Sequence, residues 1–210
     1  PITAGGANQT WDYSALQFVD TGGALFLDVE GTPYQTTFPN ANLTVHDVVK
    51  DEWTYFHTTT TGVYVSGIDS AGTNLVFNPE WLYMPVPFTY LDSRTSTARI
   101  QIDTNFMGTP ARAVRTFKDD FNADGWGTLK VPGNTFTNTL RIDNKSMVYD
   151  TLYVDTFSIW LPIYTAVSQT HNFRWVRNNG PDAFLLEIRA DSLGTTGTRS
   201  EYEIISVISV

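Results

Sequence analysis

The sequence predicts an all-β protein, a single large antiparallel β-sandwich of jelly-roll type with about thirteen strands. Apolar and polar residues alternate through most of the chain, for example over 99–103, 139–143 and 204–210. Alternation of this kind places one face of a strand against a core and the other in water, which is typical of antiparallel sheet. Thr, Val, Tyr and Phe fill these segments, and they suit a pleated surface.

Turn sequences separate the predicted strands at short intervals. They include Gly22-Gly23, Pro39-Asn40, Asp124-Gly125, Pro132-Gly133 and Asn179-Gly180-Pro181. The segment 78–88 is broken by prolines, so it is not expected to lie in a central strand. Because this segment is too apolar for a solvated linker, we expect a buried connection between two sheets and one domain over residues 1–210.

Composition limits the classes of partner. The 210 residues carry a net charge of −9, and Lys and Arg form no run. Binding to phosphates requires clustered cations, so we expect no nucleic acid and no anionic membrane surface as a partner. No apolar run reaches the length of a membrane span, so the chain is not expected to cross a membrane.

Cysteine is absent from the sequence. Its absence excludes disulfides, zinc–thiolate sites and a cysteine nucleophile, and it favours an extracellular or cell-surface location. A chain that starts at Pro1 without a Met is expected to be a processed, mature form, and a segment cut at a domain edge is the alternative. A core of this size needs no cofactor to fold.

Five phrases occur in an order that is characteristic of one family. They are 7–14 (ANQTWDYS), 38–42 (FPNAN), 85–93 (PVPFTYLDS), 123–129 (ADGWGTL) and 131–142 (VPGNTFTNTLRI). With these phrases the chain resembles, over nearly its whole length, the N-terminal β-domain of Bacteroidota proteins exported by the type IX secretion system. The resemblance implies a secreted β-domain at the cell surface, normally followed by a sorting domain that is removed. The family has no assigned activity, so the resemblance implies location and fold rather than mechanism.

The segment 120–126 (DFNADGW) carries the sharpest metal-binding pattern. Asp120, Asn122 and Asp124 place oxygen ligands at alternating positions before a glycine, as in the first half of a calcium-binding loop. The last ligand position of such a loop is Val131 rather than Glu, and neither flank is helical in pattern. The alternative is a β-hairpin that turns at Asp124-Gly125.

Aromatic residues form the second candidate site. Trp53, Tyr55, Trp81 and Tyr83 are dense enough to supply a platform on which sugar rings stack. In all-β proteins most aromatic side chains instead form the core or cross-strand pairs. Both interpretations remain open from the residues alone.

Three short segments match the Asp-Ser/Thr acceptor pattern of O-glycosylation in Bacteroidota. The acceptor residues are Ser70, Thr151 and Ser192. Because the chain is rich in Thr and Asp, chance matches are the alternative. The sequence has no recognisable catalytic motif, although a glycosidase-type pair of carboxyl groups needs only two suitably spaced acids.

The last residues, 201–210, form a strongly β-prone segment that is uncharged after Glu203. Such a strand pairs within its own sandwich or completes the sheet of a neighbouring copy by β-strand addition. We therefore expect a non-enzymatic surface protein, structural or adhesive, with itself or a surface glycan as partner. A carbohydrate-binding module is the second hypothesis, and an extracellular hydrolase is the third.

Overall fold

A computed structural model of the chain describes residues 2–17, 23–70, 72–177 and 184–202. These residues form twelve β-strands. The strands are β1 (Gly6–Asp12), β2 (Ala24–Leu27), β3 (Leu43–Asp47), β4 (Glu52–Thr58), β5 (Gly62–Ser70), β6 (Thr73–Pro85), β7 (Ser93–Phe106), β8 (Thr109–Val131), β9 (Asn134–Thr156), β10 (Ile159–Arg177), β11 (Leu186–Ala190) and β12 (Gly197–Tyr202). The predicted all-β class is confirmed. No helix in these ranges is long and apolar enough to cross a bilayer.

Each strand from β2 to β12 pairs with its neighbour in sequence, and all of these pairs are antiparallel. The exception to this order is β1, which pairs with β8 and runs parallel to it. A jelly roll requires Greek-key crossings between its two sheets. The described strands instead form a meander, so their connectivity does not support the jelly-roll detail of the prediction.

Two layers enclose the central core. Strands β5 and β6 contribute Val65, Phe77 and Leu82, which pack against residues of β7 to β10. The facing layer includes Ala98 and Phe121, which are almost completely buried. Two further clusters lie around Trp11 and Trp175 and around Phe38 and Tyr55. This packing of two layers on apolar side chains is that of a β-sandwich.

The predicted buried connection over 78–88 is wrong for most of its length, because residues 73–85 form strand β6. Pro79 and Pro85 are tolerated there because β6 pairs with β5 along one side, whereas its ladder with β7 is limited to Phe77 and Ile100. Proline has no N–H to donate, so it removes few ladder hydrogen bonds from a strand that is paired mainly along one side. The sequence pattern does not reveal which strands have such a side.

The predicted turn at Asp124-Gly125 is also wrong. Both residues lie inside β8, beside a bulge in its pairing with β9. The glycines of this segment instead allow β1 to lie close alongside, since a Cβ at Gly127 would lie 2.0 Å from the Gln9 carbonyl oxygen. Two of the family-like phrases, 7–14 and 123–129, therefore meet in one parallel pair of strands.

Candidate ligand-binding cleft

A concave cleft of about 300 Å³ lies on one face of the sheet formed by β8 to β12, and β6 borders it on one side. Alternate residues of three neighbouring strands, β9 to β11, form its floor, because side chains two positions apart share one face of a sheet. The lining residues are Trp81, Tyr83, Phe117, Asn144, Ser146, Val148, Thr170, Asn172, Arg174, Phe184, Glu187, Arg189 and Glu201. The cleft thus combines an aromatic wall with a polar and charged floor.

Asn144 on β9 and Asn172 on β10 are directly paired across the two strands. Both side chains are buried, with exposed fractions of 2% and 7%. Asn144 Nδ2 and Asn172 Oδ1 nevertheless lack a hydrogen-bond partner. A buried polar atom without a partner costs about 1–3 kcal/mol, so a pair of them beside a cavity requires an explanation. The pair thus holds one donor and one acceptor whose hydrogen-bonding capacity is unused, and both residues line the cleft.

Arg189 adds an exposed guanidinium to the lining of the cleft, and Arg174 adds a buried one. Arg174 Nε donates to Glu187 Oε2 at 2.5 Å, and a terminal nitrogen donates to the carbonyl oxygen of Tyr83 at 2.6 Å. The guanidinium also lies 4.5 Å from the centre of the Tyr83 ring. Burial acts to lower the pKa of Arg174, but Glu187, Tyr83 and Asp119 together outweigh it and raise this pKa above its usual value. The guanidinium is therefore charged and held in one orientation.

Asp119 lies behind the aromatic wall, on the same face as the cleft. Its Oδ2 accepts a hydrogen bond from Trp81 Nε1 at 2.9 Å. Burial raises the pKa of the Asp119 carboxyl, and the neighbouring Ser146, Trp81 and Asn144 side chains partly offset the rise. Asn144 lies near enough to Asp119 to lower the pKa of its carboxyl, although Asn144 Nδ2 makes no hydrogen bond of normal geometry. Asp119 therefore orients Trp81, one of the residues that line the cleft.

The predicted aromatic platform is only partly assembled. Trp81 and Tyr83 line the cleft, but Trp81 is stacked between Phe77 and Phe117, with ring centroids 5.8 Å and 5.5 Å away. Since Arg174 also lies against the Tyr83 ring, these two residues act as a wall and not as a freely exposed stacking surface.

Trp53 and Tyr55 lie elsewhere, on β4. Tyr55 is completely buried and stacks on Phe38 with ring centroids 4.5 Å apart, so the prediction that it is an exposed sugar platform is wrong. Trp53 is half-buried and stacks on His46 at 4.0 Å. A side chain inside a strand faces the core or solvent according to register, which a dense aromatic segment does not reveal.

The three predicted calcium ligands lie in strand β8 and not in a loop. Both carboxylate oxygens of Asp124 accept from the Arg141 guanidinium, at 2.8 Å for the Nε–Oδ1 contact. Asp120 is exposed and Asn122 is half-buried. Within the described ranges, no group of three or more His, Asp or Glu side chains is placed to hold a metal ion. Calcium binding by Asp120, Asn122 and Asp124 stays a prediction, and it would require displacement of Arg141.

The predicted glycosylation acceptors differ in position. Ser192 is exposed in the loop between β11 and β12, whereas Thr151 is half-buried inside β9. Ser70 ends β5, and its side chain lies outside the described part of the structure. Pro1 and the segment 203–210 also lie outside the described residues. Modification at any of these sites, processing at either end and strand exchange by the last segment stay predictions.

Ser66, His57 and Glu80 form a cluster with the residue types of a hydrolase triad. Glu80 accepts from Ser66 Oγ at 2.6 Å and is bound by His57 Nδ1 at 2.8 Å. In a triad the histidine contacts the hydroxyl group, because it must remove the proton. Here the carboxylate lies between the two, so the arrangement does not activate Ser66.

Sequence reasoning did not identify Asn144, Asn172, Arg174 or Glu187 as site residues. The available signal was a run of polar residues at alternate positions, where a strand otherwise buries apolar side chains. Comparison of the chain with protein-family models, with curated proteins and with solved structures finds no match.

Proposed function

We propose that this chain is a non-enzymatic, extracellular binding module whose cleft takes a carbohydrate, so that the protein acts in adhesion at a cell surface. The observation that carries the proposal is the buried pair Asn144 and Asn172, which line the cleft and hold one donor and one acceptor without a partner. A sugar hydroxyl both donates and accepts, so hydroxyl groups are suitable partners for such a donor and such an acceptor.

The rest of the lining supports the same class of ligand. Thr170 and Ser146 add hydroxyl groups, and Arg174 and Glu187 add charged partners for further hydroxyls. Phe117 and Phe184 provide apolar surface for the C–H groups of a sugar ring. The volume of about 300 Å³ lies at the lower end of small-ligand sites, which fits one end of a glycan better than a long segment.

Other ligand classes fit the cleft less well. A phosphate would face the carboxylates of Glu187 and Glu201 beside the guanidinium groups. A wholly apolar ligand would leave Asn144 and Asn172 unsatisfied and without water, at a cost of several kcal/mol in total. A neutral polyhydroxylated ligand avoids both penalties.

Glycan-array screening followed by calorimetry tests the proposal. The double variant Asn144→Leu/Asn172→Leu keeps the size of both side chains and removes the donor and the acceptor, so binding of the selected sugar should fall at least tenfold. Asn105→Ala, on an exposed part of β7, is the matched control and should bind like the wild type. Absence of any glycan ligand, or unchanged affinity of the double variant, would refute the site. Turnover of the bound sugar would instead favour the hydrolase hypothesis.

A further inference from the structure

Strands β7 to β10 extend past the sandwich as an arm, which we define as residues 101–116 and 149–168. Within it, β8 and β9 are central and β7 and β10 are the two edges. Side chains of both edges are exposed on both faces over 101–106 and 159–165. The arm is therefore a sheet with little covering it among the described residues.

The outer edge of β10 has no strand partner over 164–168 in the described structure. This segment pairs with β9 on its inner side, and β11 begins to pair with β10 only at His171. Strand β12 ends at Tyr202, which pairs with Leu186, and Leu186 in turn pairs with Trp175. Tyr202 therefore lies beside the end of β10 that is farther from the arm. The N–H and C=O groups of 164–168 that face outward are a template for another strand.

Over 164–168 this edge also lacks the charged side chains that normally block pairing. No Asp, Glu, Lys or Arg occurs between Asp155 and Arg174. Tyr164 and Val167 are 59% and 58% exposed on opposite faces of the strand. Natural edge strands are usually protected by charges, above all by lysine. The other edge of the arm has such protection, since β7 carries Asp103, which is paired with Arg112.

We propose that the β10 edge of the arm is a self-association surface, where residues 164–168 pair antiparallel with the same residues of a second copy. A two-fold axis through Ala166 places Tyr164 opposite Ser168 and Thr165 opposite Val167. Only uncharged side chains meet in this register. Each copy carries a net charge of −9, so a symmetric contact is favoured where charge is absent.

The limits of the free edge agree with this symmetry. β11 pairs with the outer edge of β10 from His171 onwards. With the axis at Ala166, His171 of the second copy lies opposite residue 161 of the first, so β11 of the second copy would obstruct a ladder that extended that far. Pro162 and the bulge between Pro162 and Tyr164 interrupt β10 at this point. A bulge disrupts the ladder locally, so pairing with the second copy ends there and does not continue to its β11. The ladder is thus confined to the segment that is free.

The two ends of the arm expose large apolar side chains. Met107 and Phe157 lie in the two hairpin turns, are 91% and 96% exposed, and both have positive φ angles, of 51° and 54°. A bulky residue in this conformation is uncommon and costs free energy. Because the two arms run antiparallel, each apolar end comes alongside the body of the other copy.

A cysteine scan tests the symmetry of the contact in the full chain, which has no native cysteine. Cβ atoms directly opposite each other in an antiparallel pair lie about 4.5–5.5 Å apart, close enough to form a disulfide with small shifts. Under mild oxidation Ala166→Cys should give a covalent dimer on a non-reducing gel. Ile102→Cys, on the β7 edge of the same arm, is the control and should stay monomeric. Absence of the Ala166→Cys dimer, or equal dimer yields from both variants, would overturn the proposed pairing.

Sedimentation equilibrium provides the non-covalent test. The wild-type mass should rise towards twice the monomer value with concentration, and Val167→Lys or Ser168→Lys should abolish the rise. Both positions are exposed, so the variants should fold, and circular dichroism melting confirms this. Ile102→Lys should dimerise like the wild type. A wild type that is monomeric at every concentration, or dimers that persist in both β10 variants, would overturn the proposal. Flotation of monomeric wild type with phosphatidylcholine vesicles would assign the apolar ends to a lipid surface instead.

Discussion

Asn144 and Asn172 lie directly opposite each other on β9 and β10, and each has one buried polar atom without a partner. Replacement of such groups by apolar side chains of the same shape is nearly neutral or stabilising. We therefore expect the melting temperature of Asn144→Leu/Asn172→Leu to equal or exceed that of the wild type, while sugar binding is lost. Thr44→Val is the control, since Thr44 Oγ1 is also buried without a partner but lies in β3, away from the cleft. A large loss of stability in the double variant would show that the asparagines serve the fold.

The buried carboxyl of Asp119 predicts a dependence of stability on pH. Burial raises the pKa of Asp119 above 3.8, so the folded protein binds a proton more tightly than the unfolded chain. This contribution to stability is full below the unfolded value near 3.8 and is lost as the pH rises through the folded value. The side chain of Asp119→Asn is neutral at every pH, so the variant does not lose this contribution to stability. Its amide oxygen still accepts the hydrogen bond from Trp81 Nε1. The gain in melting temperature of this variant over the wild type should be larger at pH 7 than at pH 3.5.

Asp92 is the control of opposite sign for this measurement. Hydrogen bonds from Thr89 hold the pKa of Asp92 below 3.8. Its contribution is therefore present above the unfolded value and lost as the pH falls through the folded value. Asp92→Asn should lower the melting temperature at pH 7 more than at pH 3. A gain at pH 7 in both variants would contradict these assignments.

The ion pair of Arg174 and Glu187 predicts a large effect of a single substitution. The two side chains are only 5% and 18% exposed, so Glu187→Gln leaves a buried guanidinium without its counter-charge. The free energy of unfolding should fall by about 3 kcal/mol in urea denaturation. Asp150→Asn breaks the exposed pair with Arg115, where the loss should be about 0.5 kcal/mol. Equal effects of the two variants would mean that burial does not strengthen the first pair.

Gly127 tests the parallel contact between β1 and β8. A Cβ at this position would lie 2.0 Å from the carbonyl oxygen and 2.6 Å from the amide nitrogen of Gln9, so Gly127→Ala must separate the two strands. We expect a loss of about 3 kcal/mol in the free energy of unfolding. Gly31→Ala meets no atom within 4 Å, and its φ of 81° should cost only about 1 kcal/mol. Similar losses in both variants would refute the close approach of β1.

Calcium titration tests whether Asp120, Asn122 and Asp124 of β8 bind the ion. Because Arg141 already binds both carboxylate oxygens of Asp124, we expect calcium and EDTA to leave the melting temperature unchanged. An ion that binds only the folded state would raise it with increasing concentration. Such a rise, lost in Asp120→Asn and retained in an exposed control variant such as Asp51→Asn, would show that calcium binds at this segment of β8.

Local sequence patterns could predict the structural class because their cause is local. The alternation of Leu140 and Ile142 with polar neighbours predicts a strand, and these residues lie in β9. The predicted solvent face is wrong there, because Thr139 and Arg141 are buried as well. The ligand-binding cleft could not be found in this way. Whether Asn144 faces a cavity or packed side chains depends on the register of β9 against β10 and on the position of β6, which are long-range features.

The sequence by itself determined that the chain is built of antiparallel strands, that it carries an excess of acidic residues, and that no cysteine contributes to its stability or chemistry. Only the tertiary structure decided the role of Asp124-Gly125. These residues form part of a strand because β1 lies against Gly125 and Gly127 and Arg141 binds Asp124. Tertiary structure likewise placed Tyr55 in the core and Tyr83 in the cleft. The physical reason is that packing and strand register, which involve distant parts of the chain, outweigh the weak conformational preference of any short segment.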